Sequence, residues 1–376
     1  MFRLSNLLKT AIDSKPSRVL DGSIVIWNFT NRCNLSCLHC YSKADLESVD
    51  LLSTEVIKKT IDEFVTNKIK FIIFSGGEPL VRKDIFEIAL YAKSKGIITY
   101  LSSNGLYINN SNVHKIVETF DYIGVSIDGD EETHDIFRGL KGSFKKSIEA
   151  MRLVQKVGGK VGIRFTLTKQ TLKSLPFIFE LSQKEDFAKI YISHLVYSGR
   201  GLENLAMDIS KEERIEAVQY IINKAFEYEK TNRNIEIVTG NMEVDAILFL
   251  KEIEKLYPKL ANIVKEKLLA WGGNSAGRKL LNIDSFGNVK PDPFFPQTIG
   301  NILEKSFTDI WNDKENILLK SLRETPRKLG GYCENCEYIA ICNGGSRSRA
   351  NAIYDDLWNQ DPSCYLELLN SHKEAE

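Results

Sequence analysis

The sequence predicts an α/β fold: an incomplete parallel barrel of six βα units, followed by a helical stretch and a small loop-rich end. Three observations predict it. Strand-like and helix-like segments alternate from residue 22 to about 200. The residues that carry chemistry cluster just after the strands. The pattern then changes, to charged helical stretches from 202 and to short cysteine-bearing loops from 278. Repeated βα units make a parallel sheet with right-handed crossovers. Such sheets place their sites at the C-terminal edge. Six units are too few to close an eight-stranded barrel.

Taken in order, MFRLSNLLKTAIDSKPSR sets Leu4, Leu7, Leu8 and Ile12 at helical spacing, a short packing helix within residues 1–21. It has no continuous apolar stretch, so no signal peptide is read there. SIVIWNF (23–29) is a β-branched strand. TEVIKKTIDEFVTNK (54–68) is a helix behind Ser53, a candidate N-cap. KFIIFSGG (70–77) is a buried strand ending in two glycines. Helix 84–95, strand 96–105, helix 110–119 and strand 120–129 follow. An amphipathic helix (143–158), a strand (160–168), a helix near 172–184 and a strand opening 189–201 complete the barrel region, 22–201. Residues 202–277 read as a helical bridge. Residues 278–376 open with KLLNIDSFGNVKPD, a hairpin turning at Phe286-Gly287-Asn288.

Apolar residues make up 43 % of the 376, enough for a sizeable core. Lys+Arg and Asp+Glu both number 50, so there is no net basic field to attract a nucleic-acid backbone. No apolar run approaches the roughly 20 residues that span a bilayer. The expectation is a cytoplasmic protein with neither a nucleic-acid nor a membrane partner. In such a chain seven cysteines are ligands rather than disulfides. They are also segregated, three at 33–40 and four at 333, 336, 342 and 364.

Cys33, Cys37 and Cys40 follow the first strand in the spacing CX3CX2C. Three thiolates are one short of a closed tetrahedral site, whereas zinc prefers closely spaced pairs that close one. A [4Fe–4S] cluster on three cysteines leaves one iron open to a small chelating molecule. A zinc loop or chance proximity is the plain alternative. Cys333, Cys336, Cys342 and Cys364, as CX2CX5CX21C, are four soft ligands for zinc or for iron–sulfur, which composition does not separate. In SGGEP, Gly76 and Gly77 allow close backbone approach and Glu78 can accept from an ammonium group, or the stretch is a turn. SSNG (102–105) and SIDG (126–129) offer hydroxyl, amide and carboxylate groups, or serve as caps and turns.

Together these motifs resemble the radical S-adenosylmethionine (SAM) enzymes. The resemblance implies a radical SAM barrel in which SAM chelates the open iron through its amino and carboxylate groups. Reductive cleavage then gives methionine and a 5′-deoxyadenosyl radical. It implies that Cys33, Cys37 and Cys40 hold a [4Fe–4S] cluster and that His39 flanks the adenine. Gly76, Gly77 and Glu78 would meet the methionyl amino group. Ser103, Asn104, Ser126 and Asp128 would line the ribose side, and Arg138 and Arg164 are candidates for the SAM carboxylate. Either arginine is otherwise an ordinary surface or ion-paired one. It implies a second, auxiliary [4Fe–4S] cluster in a SPASM-like domain, on Cys333, Cys336, Cys342 and Cys364. Asn274, Asp292 and Ser346 stand where the family often has further cysteines, which argues for one auxiliary cluster rather than two. Asp292 reads as a turn residue.

YISHLVYSGRG (191–201), IVTGN (237–241), WGGNSAG (271–277), GNVKPDPFF (287–295) and CNGGSRSRA (342–350) narrow the resemblance. They are similar to the subgroup acting on siroheme-derived tetrapyrroles. That subgroup includes the heme d1 biosynthesis radical SAM protein and the 12,18-didecarboxysiroheme deacetylase. The likeness implies removal of acetate or propionate side chains, with electrons from a donor such as ferredoxin or flavodoxin. A carboxylate-rich substrate draws attention to Arg200, Arg347 and Arg349 in Gly/Ser-rich loops, because arginine binds carboxylates bidentately. Arg200 is counted among the cofactor-binding candidates. His194 and Tyr197, after the sixth strand, are the catalytic candidates, as iron ligand or proton shuttle and as hydrogen-bond donor. A satisfied core histidine and a packing tyrosine are the alternatives. A radical SAM peptide maturase and a non-catalytic iron–sulfur or zinc protein are the competing functions. The first lacks its winged peptide-binding domain here, and strand-end motifs on successive strands argue against the second.

Overall fold

A computed structural model describes residues 1–13 and 22–371. The remainder of the N-terminal stretch 1–21 and the last residues of 278–376 lie outside the described residues. Among those described, ten strands form one sheet: β1 (Ser23–Thr30), β2 (Ile69–Gly76), β3 (Ile98–Ser103), β4 (Tyr122–Ser126), β5 (Val161–Leu167), β6 (Lys189–His194), β7 (Glu236–Gly240), β8 (Leu280–Ile283), β9 (Asn288–Lys290) and β10 (Gly300–Asn301). Their order is β10-β9-β8-β1-β2-β3-β4-β5-β6-β7. Strands β1 to β7 run parallel, each beside the next, with helices between them. No described helix is long and apolar enough to cross a membrane.

The outer face of the sheet is apolar for the usual reason that alternate side chains point one way. Trp27 and Phe29 of β1 stack at 4.7 Å, Phe29 stacks on Phe74 of β2 at 4.4 Å, and Phe64 of the helix Thr54–Thr66 closes on Trp27 at 5.5 Å. That helix starts where the sequence predicts, with the Ser53 hydroxyl accepting from Val56 N–H at 3.4 Å.

Two features differ from the sequence reading. The stretch 202–277 is not wholly helical. It contains β7, which pairs parallel with β6 and extends the barrel by one strand. The short EIVTG segment lies between the helices Lys211–Lys230 and Asp245–Leu256, whose long periodicity masks it. Phe2 pairs with the far side of β7, exchanging backbone hydrogen bonds with Thr239 at 2.7 and 2.9 Å. Leu4, Leu8 and Ala11 of the helix Leu4–Ile12 are buried beside it. Second, the hairpin forms as expected, with Asp284 accepting from Phe286 and Asn288 N–H at its turn. Yet its first strand, β8, joins the barrel sheet by pairing parallel with β1.

The inner face is unlike the outer one. Tyr100, Tyr122, Arg164, Lys189 and Tyr191 are half-buried there and stack on one another. Tyr100 and Tyr122 lie 5.3 Å apart, Lys189 is 4.6 Å over Tyr122, and Arg164 is 4.8 Å over Tyr191. Glycines make this possible. A Cβ at Gly124 would meet Arg164 Cδ at 2.9 Å, and one at Gly162 or Gly240 would run into the hydroxyl of Tyr122 or Tyr191. Gly240→Ala is therefore expected to lose about 1–3 kcal/mol of stability through overpacking, read as a lower denaturant midpoint. Adding Tyr191→Phe should recover part of that loss. An unchanged midpoint would show that the inner face has slack.

Candidate functional site: the C-terminal edge of the barrel

Leaving β1 at Thr30, the chain makes a loop over the C-terminal edge of the sheet. Its base is closed by Cys33 N–H to Asp45 O (2.8 Å) and Asp45 N–H to Asn31 O (3.2 Å). The Tyr41 hydroxyl reaches down to Asn28 Oδ1 (3.0 Å) and Ser75 Oγ (3.2 Å), pinning the loop to β1 and β2. The segment after β6 clamps it from the other side. Arg200 N–H donates to Cys40 O at 2.8 Å, Arg200 Nε to Cys37 O at 2.7 Å and Asn204 Nδ2 to Leu38 O at 3.2 Å. Gly199 has a φ of 56° and lies so close that a Cβ would strike the Cys40 and Tyr41 carbonyls. The Arg200 guanidinium, counted in the sequence among the cofactor contacts, donates to the carbonyls of Cys37 and Ala44 and so clamps the loop.

The loop holds Cys37 buried and Cys33 and Cys40 half-buried, all three free of disulfides. Burial pushes the Cys33 thiol up to about 12 and raises that of Cys37. Three free thiols on one tight loop fit thiolate ligation, and at Cys33 and Cys37 a bound metal would replace the protons that burial retains.

Around this loop the strand-end motifs form one hydrogen-bonded collar. Gly77 N–H donates to Thr30 O and Glu78 N–H to Arg32 O, both at 2.8 Å. A Cβ at Gly76 or Gly77 would collide with the carbonyl of Thr30 or Arg32, so these glycines serve a backbone-to-backbone approach. Glu78 is fully buried. Its carboxylate accepts from Asn104 N–H (2.7 Å), Ser103 Oγ (2.9 Å) and Leu80 N–H (3.2 Å). Asn104 Nδ2 continues to Asn34 Oδ1 of the cysteine loop at 2.8 Å. Asp128 and Arg138, expected on different parts of the cofactor, are instead paired with each other, Arg138 Nε to Asp128 Oδ2 at 2.6 Å. Arg138 Nη1 also lies 3.5 Å from Cys37 Sγ. His39 stacks on Phe137 at 4.4 Å, and burial with Arg138 and Arg200 nearby keeps it neutral. Ser126 ends β4 half-buried, opposite Arg164 across the ladder. Arg164 differs from the other arginines singled out in the sequence. Among the described residues it has no anionic partner, only the face of Tyr191.

Both catalytic candidates are placed elsewhere. In β6 the buried residues are Ile190, Ile192 and His194, while Tyr191 and Ser193 take the inner face. His194 therefore points outward to the helices, fully buried, with Nε2 2.9 Å from Asp245 Oδ2 and Nδ1 2.7 Å from Arg214 Nη1. It is a satisfied core histidine, which burial holds neutral. The Tyr197 hydroxyl donates to Asp208 Oδ2 at 2.7 Å, and burial and that carboxylate push it up to about 12. Tyr191, Ser193 and Tyr122 line the barrel interior and are not among the residues that the motifs single out. The signal was there, in strand parity and in the facing glycines.

The second cysteine set sits on short turns. Cys333 lies within the turn Gly331–Asn335 and Cys336 directly follows it, Cys342 ends the helix Ile339–Cys342, and Cys364 precedes the helix Leu366–Ser371. All are half-buried and free of disulfides. Burial pushes Cys333 up to about 11 and Cys364 up to about 12, each further raised by neighbouring thiols of the same set. Among the described residues no three His, Cys, Asp or Glu side chains are grouped to hold a single metal ion. The four thiols are near enough to influence one another's titration. Asp292 accepts from Phe294 N–H at 2.8 Å, a turn role. Arg347 and Arg349, expected to bind substrate carboxylates, are fully buried and engaged. Arg347 donates to the carbonyls of Gly344, Leu357 and Asn359, and Arg349 grips Asp361 at 2.9 and 2.7 Å.

Residues 27–181 match the Radical SAM superfamily and residues 275–337 the iron–sulfur cluster-binding domain SPASM. The chain belongs to the radical SAM superfamily, and is an enzyme with a SAM-binding [4Fe–4S] cluster and an auxiliary cluster. It is 38 % identical to pre-heme d1 synthase of Dinoroseobacter shibae, covering 97 % of this chain and 92 % of that one. It is 37 % identical to Fe-coproporphyrin III synthase of Methanosarcina barkeri, covering 96 % and 90 %. PqqA peptide cyclase of Granulibacter bethesdensis is further off, at 26 % over 90 % and 85 %. In structure the chain resembles SAM-bound SuiB of Streptococcus suis, with a TM-score of 0.72 at 18 % identity over 92 % and 77 %, a likeness of fold.

The collar carries a pH signature. Burial raises the Glu78 carboxyl from 4.5 to about 7. A folded-state value above the unfolded one means that the folded chain holds the extra proton. Below pH 4.5 both states are protonated and nothing is lost. From there to pH 7 the unfolded state ionises first and stability falls, by roughly 3 kcal/mol in all. In cluster-free protein, denaturant melts at pH 5 and pH 8 should show a larger fall in the native chain than in Glu78→Gln, the difference between the two isolating Glu78 from the other groups that titrate there, Asp292 among them. Equal slopes would remove Glu78 from the account.

Proposed function

We propose that this enzyme removes carboxylate-bearing side chains from a siroheme-derived tetrapyrrole, with 12,18-didecarboxysiroheme as the substrate to test. The observation that carries this reading is the similarity to tetrapyrrole-modifying relatives over more than nine-tenths of the chain, at 38 and 37 % identity. Relatives named for peptides are less similar. The inner face of the barrel supports it, being an aromatic surface that carries Arg164 without an anion, while Lys189 is paired with Glu236 at 2.8 Å.

In this reading Cys33, Cys37 and Cys40 hold the first cluster, and Cys333, Cys336, Cys342 and Cys364 the auxiliary one. When bound, the first cluster and SAM supply a 5′-deoxyadenosyl radical. This chain's own residues orient and shield. Glu78, Ser103 and Asn104 brace the loop and shape the amino-group end of the SAM site. Ser126 faces the ribose. Arg164, 4.8 Å over the Tyr191 ring, receives the SAM carboxylate, because a guanidinium without an anion in a half-buried site gains most from a planar, bidentate partner. Arg138, already paired with Asp128, lies against Cys37 and offsets thiolate charge there. Electrons arrive from a one-electron carrier protein.

Loss of one charge-assisted bidentate contact costs about 1.5–3 kcal/mol. Arg164→Ala should therefore weaken SAM binding roughly 10- to 100-fold in calorimetry, while iron content stays at the native level. Unchanged SAM affinity would free Arg164 for another role.

The function itself is tested by mass spectrometry of 12,18-didecarboxysiroheme incubated anaerobically with reconstituted enzyme, SAM and reductant. Loss of two acetate groups or of propionate-derived carbon supports the proposal and decides between the two side chains. An unchanged tetrapyrrole beside newly formed 5′-deoxyadenosine would overturn the substrate.

A further inference from the structure

Cys364 is the last ligand of the second cysteine set, in CX2CX5CX21C. It lies on a five-residue segment tied to the barrel at alternate positions. Asp361 accepts from Arg349 Nε (2.9 Å) and Nη2 (2.7 Å), and the same guanidinium donates to the carbonyls of Leu195 (3.0 Å) and Asn241 (2.5 Å), just past β6 and β7. Ser363 Oγ is 3.2 Å from the Tyr197 hydroxyl, which itself donates to Asp208 Oδ2. Tyr365 donates to Asp245 Oδ1 at 2.9 Å.

Behind these ties the contacts close into a circuit. Asp245 Oδ2 meets His194 Nε2 at 2.9 Å, and His194 Nδ1 meets Arg214 Nη1 at 2.7 Å. Arg214 Nη2 holds both oxygens of Asp208 at 2.9 Å, returning to Tyr197 and Ser363. His194, Arg214, Asp245, Arg349 and Tyr365 are all buried. Stability alone does not call for such a network, since packed apolar side chains of similar volume often do as well or better. A hydrogen-bonded polar network instead fixes one geometry, because each partner has a direction as well as a distance; in this circuit Arg214 Nε is left without a partner, while its two terminal nitrogens are engaged. Here the fixed object is the segment 361–365, and its one metal-ligating side chain is Cys364.

We propose that Asp245, His194, Arg214 and Tyr365 are positioning residues for the auxiliary cluster, holding Cys364 in place relative to the barrel. The proposal rests on reading Cys333, Cys336, Cys342 and Cys364 as that cluster's ligands. Three ligands come from one compact stretch, and the fourth arrives through the circuit. Weakening the circuit lets the fourth ligand drift and leaves the other three with an incomplete set.

The test uses the full chain, reconstituted anaerobically, with Tyr365→Phe and Asp245→Asn. Each removes one hydrogen-bonding atom or one charge at nearly constant volume. Iron content is measured, together with the electron paramagnetic resonance of the reduced protein with and without SAM. SAM perturbs the signal of the cluster it binds and so separates the two. The expected result is iron falling by about half, from about eight atoms per chain for two cubane clusters. The SAM-insensitive signal is lost or broadened, and the SAM-sensitive one is retained. Cys364→Ala is the control for the ligand reading, and must itself remove the SAM-insensitive signal. If it does not, the ligand assignment falls. If Cys364→Ala removes the signal but Tyr365→Phe and Asp245→Asn both keep full iron and both signals, the positioning role is overturned. Loss of both signals in those two variants also overturns it, showing a circuit that serves the whole core.

Discussion

The structure depends on one constraint: the cysteine loop after β1 must lie backbone against backbone with the ends of β2 and β6. Hydrogen bonds of 2.8 Å from Gly77, Glu78 and Arg200 N–H to loop carbonyls set that distance. Only glycine permits it at positions 76, 77 and 199, where a Cβ would strike a carbonyl. The loop is thus gripped through its main chain, which leaves the three thiols as the groups it presents. The collar of Glu78, Ser103, Asn104 and Asn34 carries the same grip around to β3.

Buried charge is distributed to suit this arrangement. A buried ion is tolerated when paired and hydrogen-bonded and costly when alone. Asp128 has Arg138, Asp361 has Arg349, and Asp208 has Arg214. Each pair is local, its members 10, 12 and 6 residues apart, and the paired arginine reaches out to a further group: Arg138 to Cys37 Sγ, Arg349 to the carbonyls of Leu195 and Asn241, and Arg214 to His194. Arg164 is the contrast. It rests on an aromatic face inside the barrel without an anion of its own, where a ligand can supply one.

Much of this was legible in the sequence. Cysteine spacing, the position of each motif after a strand, and the glycines of SGGEP are local signals, and each names a chemistry or a turn without reference to distant residues. The six βα units were legible because strands and helices differ in period. Strand β7 was not, because five residues between two long helices carry too little periodicity to register. The joining of β8 to β1 was not either, since parallel pairing between residues some 250 apart leaves no local mark.

The side-chain assignments divide the same way. The sequence by itself determined which residues could act as soft ligands, where the chain turns, and which fold class they belong to, because those follow from residue type and spacing. Only the tertiary structure decided what the polar side chains do. His194 lies on the helix side of β6 and Tyr191 on the inner side, a matter of strand parity that depends on which face the sheet buries. Arg200, Arg347 and Arg349 look like carboxylate binders in glycine-rich loops, yet backbone carbonyls and Asp361 engage all three. An arginine's role depends on which acceptors folding brings into hydrogen-bond reach, and these range from Gly344, three residues from Arg347, to Cys37, 163 residues from Arg200.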